Sequence, residues 1–166
     1  MQSNGSAMKL RRILVPIDFS NSTARVLQYA AAFAREFKAA ITLLHVVKPD
    51  GSHVRRNIPI ERLIDEMSEA GEAQLRKLVA VMWGDDIATD IVVGGGKPCV
   101  QIVNEARELN ADLILMARHT GARSRTFLRR STTERVIRHA PCPVLVVRAL
   151  ERGFVAESFP MPAVSR

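Results

Sequence analysis

Apolar positions along this chain fall into two alternating rhythms. Leu10-Arg-Arg-Ile-Leu-Val-Pro-Ile17 holds a continuous apolar stretch, the mark of a strand buried on both faces as in a parallel sheet. Ser20, Asn21 and Ser22 then supply candidate caps for a helix in which Val26, Ala30, Phe33 and Phe37 recur at helical spacing, widened by Leu27, Ala31 and Ala34. Ala40 to Val47 is the second strand, ended by Pro49, Asp50 and Gly51, and residues 48–58 read as a basic loop with Arg55 and Arg56. A long helix is expected from about Pro59, with Ile60, Leu63, Ile64, Met67, Leu75, Leu78, Val79 and Met82 as its stripe. Asp86 to Val93 reads as the third strand, and Gly94-Gly-Gly96 as a flexible turn that ends it. Pro98 opens a third helix with Cys99, Ile102, Val103, Ala106 and Leu109 on one side, and Asn110 suits its C-terminal turn. Asp112 to Met116 is a short fourth strand, Thr132 to His139 a fourth helix, and Val144 to Val147 a fifth strand entered through Pro141 and Pro143.

Strands alternating with helices predict right-handed crossovers and an α/β, doubly wound parallel sheet with helices on both faces. No internal repeat and no linker divides the chain, so one domain is expected. Met1 to Met8 reads as a tag or a disordered start, and residues 149–166 as a C-terminal tail without periodicity.

Composition narrows the picture. With 166 residues, 47% of them hydrophobic, the chain can bury a sizeable core. No apolar run approaches the ~18 residues of a membrane helix. Cys99 and Cys142 form no metal spacing, and the chain reads as cytoplasmic and free of disulfides. The net charge of +7 raises the question of nucleic acid, but aromatics are only 5% and Phe127 alone interleaves with the basic tract, so no stacking platform is expected. That tract is local: seven arginines (118, 123, 125, 129, 130, 135 and 138) stand against one acid, Glu134. An anion site or a solvated basic face fits it better than a nucleic-acid surface.

Ligands of such sheets bind beyond the carboxyl ends of the strands, where strand order reverses. Asp18 falls there, after the first strand. Its carboxylate could accept from a ribose hydroxyl or a base amino group, or it could cap the next helix. Ser131-Thr-Thr-Glu134 has the form of a capping box, and the same helix N-terminus presents amides and a partial positive charge suited to phosphate. His45 reads as a packed structural histidine and His119 as a polar loop residue; neither has metal-ligand neighbours in the sequence.

Ile13-Leu-Val-Pro-Ile-Asp-Phe-Ser20, Leu44-His-Val-Val47, Asp112-Leu-Ile-Leu-Met116 and the run from Ser131 to Val147, in that order, resemble the universal stress protein family from about residue 9 to 148. The resemblance implies five parallel strands ordered 3-2-1-4-5, a Rossmann-like architecture related to the adenine nucleotide alpha hydrolases, and a homodimer through Val144–Val147. It also implies one class of members that binds ATP and one that does not. The ATP-binding class carries G-x2-G-x9-G-[S/T] after the fourth strand. Laid on this chain, the glycines fall at Ala117, Thr120 and Arg130, and only the final hydroxyl, Ser131, is kept, with Thr132 following. Gly121 could shift the turn by one residue. Glycine lets a backbone approach phosphate closely, so the phosphate half of the site is altered. Arg118, Arg123, Arg125 and Arg130 could hold phosphate in place of amides, or lie in solvent, or close the pocket. By the same resemblance Asp18 matches the carboxylate near the adenosine and Val46 the apolar contact to the base, and Pro16 and Met116 are further candidate cofactor-binding residues. Three readings follow. The first is a dimeric stress-response binding and signalling module with a degenerate adenine-nucleotide site. The second is a slow ATPase on that site, and the third a basic interaction module with no small ligand.

Overall fold

The computed structural model describes residues 9–48, 60–117 and 131–148. Five strands and four helices alternate: β1 Arg12–Ile17, α1 Thr23–Phe37, β2 Ala40–Val47, α2 Ile60–Met82, β3 Thr89–Gly95, α3 Pro98–Glu108, β4 Leu113–Ala117, α4 Thr132–His139 and β5 Val144–Val147. All pairings are parallel and the order is β3-β2-β1-β4-β5, so strand order reverses between β1 and β4. No helix among the described residues is long and apolar enough to cross a membrane.

Period-two alternation in the strands divides the core into two halves. Ile13, Val15 and Ile17 of β1, Ile41, Leu43 and Val47 of β2 and Leu115 of β4 pack with α1 and α2 residues such as Val26, Leu27, Ala30 and Leu75. Leu14, Leu44, Ile114 and Met116 point the other way, onto Ile102 and Ala106 of α3 and Val136 of α4. Both faces of the sheet are therefore covered, as the continuous apolar strands require.

Element ends differ from the sequence reading where polar groups are committed elsewhere. β1 begins at Arg12 and not Leu10, and at its start the amides of Arg11 and Arg12 donate to Asp112 Oδ2 at 2.8 and 2.9 Å. Those bonds hold the Asp112 carboxyl below its ordinary pKa, the Arg11 amide contributing most. β3 runs from Thr89 to Gly95, later than the expected 86–93. The residues before it belong to a turn: Trp83 and Ile87 are buried, Gly84 takes φ +54° after the helix, and the Trp83 indole donates to Thr89 Oγ1 at 3.0 Å. Gly94 and Gly95 are not a flexible turn. They pair with Val46 and Val47, and only Gly96, at φ +119°, turns the chain. α1 is capped by the backbone of Ser22 with no side-chain hydrogen bond, while Ser20 and Asn21 precede it. Asn110 does take the left-handed conformation after α3, at φ 47°. Both cysteines are free thiols.

Candidate functional site

The carboxyl edge around the β1–β4 junction collects most of the sequence-derived candidates. Ile17 of β1 stands opposite His45 of β2, so one step further Asp18 and Val46 come into line. Val46 is half-buried on the α3/α4 face, and Met116 is buried on that same face. Pro16, half-buried, shares the parity of Leu14 on β1 and lies on the same side. Ala117 differs: it packs with the opposite cluster, over α1 and α2. Ser131 and Thr132 are exposed at the start of α4. Thr120, Arg130 and the neighbouring Arg118, His119, Gly121, Arg123 and Arg125 lie outside the described residues.

Asp18 is not the cap of α1. Its Oδ1 accepts from the Ser20 amide at 3.0 Å, a short turn that closes before the helix, whose N-cap is Ser22. Between them Phe19 takes φ +55°, a conformation costing a bulky residue ~1–3 kcal/mol. Contacts of the same residue offset that strain. Its ring lies 4.6 Å from the His45 ring, centroid to centroid and tilted by 51°. His45 is fixed in turn: Nδ1 donates to the Ile17 carbonyl at 2.8 Å, which requires the Nδ1–H tautomer because a carbonyl only accepts. The exposed Asp18 carboxylate thus stands on a backbone reversal held by a packed histidine. The sequence marked His45 as structural, but nothing in it signalled the turn at Phe19.

A further support comes from α2, where Gly71 passes directly over the imidazole. A Cβ at Gly71 would meet His45 Cδ2 at 2.9 Å. Alanine there gains about 1 kcal/mol of helix propensity. Overpacking a pinned ring costs ~1–3 kcal/mol, so Gly71→Ala is expected to destabilise by about 1 kcal/mol net. In a His45→Ala background the ring is gone and the same change is expected to stabilise. Urea denaturation of the four proteins checks that reversal of sign; a uniform effect would remove the contact from the account.

At the other side of the edge, α4 begins on a complete capping box. Ser131 Oγ accepts from the Glu134 amide at 3.2 Å, and the Ser131 amide donates to Glu134 Oε2 at 3.3 Å. This fixes where the helix starts and aims its positive end at the edge that follows β4. The described candidates thus bring one exposed carboxylate, Asp18, beside an apolar surface to which Pro16 and Val46 contribute.

An open, doubly wound sheet with its candidate residues at the switch point defines the class of fold. The profile of the universal stress protein family matches residues 9–148. A universal stress protein of Methanocaldococcus jannaschii is 36% identical over 148 residues, covering 83% of this chain and 82% of that protein. The chain belongs to the universal stress protein family. Among solved structures, a family protein from Burkholderia pseudomallei is 27% identical with a TM-score of 0.65, covering 84% of this chain and 96% of that one. The universal stress protein from Archaeoglobus fulgidus, solved in complex with dAMP, is 25% identical with a TM-score of 0.52, covering 84% and 98%.

Proposed function

We propose that this protein is a cytoplasmic, dimeric binding and signalling module of the stress response. In this reading it is governed by an adenine nucleotide held at a partly rebuilt site. The observation that carries the reading is the alignment of Asp18 and Val46 at the ends of adjacent strands, beside Met116 and next to the strand-order reversal. Asp18 accepts from a ribose hydroxyl or base amino group, Val46 and Pro16 face the base, and the capped start of α4 at Ser131 and Thr132 faces the phosphates. Arginines of the 118–130 stretch take over from the glycines at Ala117, Thr120 and Arg130. That the Archaeoglobus fulgidus relative was solved with dAMP supports an adenine ligand. Dimerisation through β5 is supported by its place at the end of the sheet, where among the described residues it pairs with β4 alone, and by Ile137, 55% exposed on the helix that leads into it.

A titration with a fluorescent ATP analogue tests the site. Wild-type protein is expected to saturate, and Asp18→Ala to weaken binding about tenfold, the size of one lost charge-assisted hydrogen bond. Failure to saturate at millimolar nucleotide overturns the reading and leaves a basic interaction module.

A further inference from the structure

Away from the strand ends, α3 and α4 lie side by side on the outer surface and leave a groove of about 440 Å³ between them. Its walls carry Arg107 of α3 and Arg135 and Arg138 of α4, and among the described residues no carboxylate lines it. The floor is apolar: Val103 is 6% exposed and Val100 46%. Arg135 Nη1 approaches Cys99 Sγ at 3.9 Å, which ties the two helices across one end. None of these residues belongs to the candidate nucleotide site. The i, i+3 spacing of Arg135 and Arg138 and the position of Arg107 across from them spread positive charge along the groove.

We propose that this groove is a docking surface for an acidic, amphipathic segment of a partner protein, with carboxylates on the three guanidiniums and an apolar side chain on Val100 and Val103. Charge complementarity argues for that occupant. Arginine pairs with carboxylates in a fixed, forked geometry and is favoured at protein interfaces. A single inorganic anion would leave the valine floor without a use. Arg107 and Arg138 lie in the last turns of α3 and α4, where the partial negative charge of the helix ends stabilises them. An incoming acidic segment completes the pairing.

The test uses the full chain and a short fluorescein-labelled peptide of alternating glutamate and leucine, followed by anisotropy. Arg107→Glu with Arg138→Glu is compared with Arg62→Glu with Arg76→Glu, two exposed arginines of α2 that carry the same charge change. The groove pair is expected to weaken binding about tenfold or more, and the α2 pair less than about twofold. Val100→Asp is expected to weaken binding as well, and a peptide with glutamine for glutamate to bind poorly. Arg107→Gln with Arg138→Gln repeats the test with a smaller perturbation, and circular dichroism checks that each variant is folded. Equal losses in the two arginine pairs would overturn the proposal in favour of general charge attraction. Displacement of the peptide by inorganic phosphate at equal concentration would make the groove a simple anion site. Loss of self-association in the groove pair, seen by sedimentation, would assign the surface to a second copy of this chain.

Discussion

Leu115→Ala is expected to lower the unfolding free energy by ~3–5 kcal/mol, toward the upper end for a buried leucine. Leu115 is 0% exposed in the middle of β4 and points into the cluster formed with α1 and α2. The size of such a loss depends on whether neighbours can close the cavity. Here they have little freedom. β4 is hydrogen-bonded to β1 on one side and β5 on the other, so the backbone cannot move inward without breaking ladders. The facing side chains include Val15, Ile17 and Val147, whose branched Cβ atoms allow few rotamers. Val81→Ala provides the contrast, since Val81 is 55% exposed on α2 and its loss is expected within about 0.5 kcal/mol. Urea denaturation with a common slope checks both. Similar losses at the two positions would mean that the core is not packed as described.

That packing is also why so much of the architecture was legible in the sequence. Both faces of the sheet are covered, so the strands read as unbroken apolar runs, and the runs at Ala40 to Val47 and Val144 to Val147 mark β2 and β5 with their observed ends. Helices α3 and α4 also begin as expected, because Pro98 and Ser131 are start signals that act locally. The errors lie where tertiary pairing overrides a local signal. Gly94 and Gly95 have the composition of a turn, yet parallel pairing with Val46 and Val47 needs only their backbone. Asp18 is a different case, in which one local bond displaces another: it has the form of a helix cap, yet its carboxylate accepts from Ser20 two residues on, ahead of the N-cap at Ser22. The turn at Phe19 was not legible, because a positive φ on phenylalanine depends on a ring, His45, that is distant in sequence. Likewise the α3/α4 groove exists only once two helices meet.

Asp112 gives the second large effect, and its sign with pH is fixed by chemistry. The carboxylate accepts from the amides of Arg11 and Arg12, just where β1 is set against β4, and the Asp112 amide donates to the Arg12 carbonyl at 2.9 Å. Asp112→Ala leaves both amides to water, since this end of the sheet is open to solvent. The expected loss is therefore about 2 kcal/mol, less than two fully buried charged bonds would give. Asp112→Asn keeps one acceptor oxygen and is expected to cost about half as much. The folded-state pKa is lowered by those backbone bonds against the desolvation that opposes them. A lowered carboxyl contributes stability that is present above the unfolded value, about 3.9, and is lost as pH falls through the folded value. Wild type and Asp112→Asn should accordingly differ in stability at pH 7, with the difference shrinking only below about pH 4 and closing as pH falls through the lowered folded value. A second readout is independent of folding. The Cys142 thiol is pushed up chiefly by burial and then by the Asp112 charge. Removing that charge should move the pH dependence of Cys142 alkylation downward in a Cys99→Ser background. A profile that stays in place while stability falls would show that Asp112 acts on the strand ends alone and that its charge does not reach the thiol.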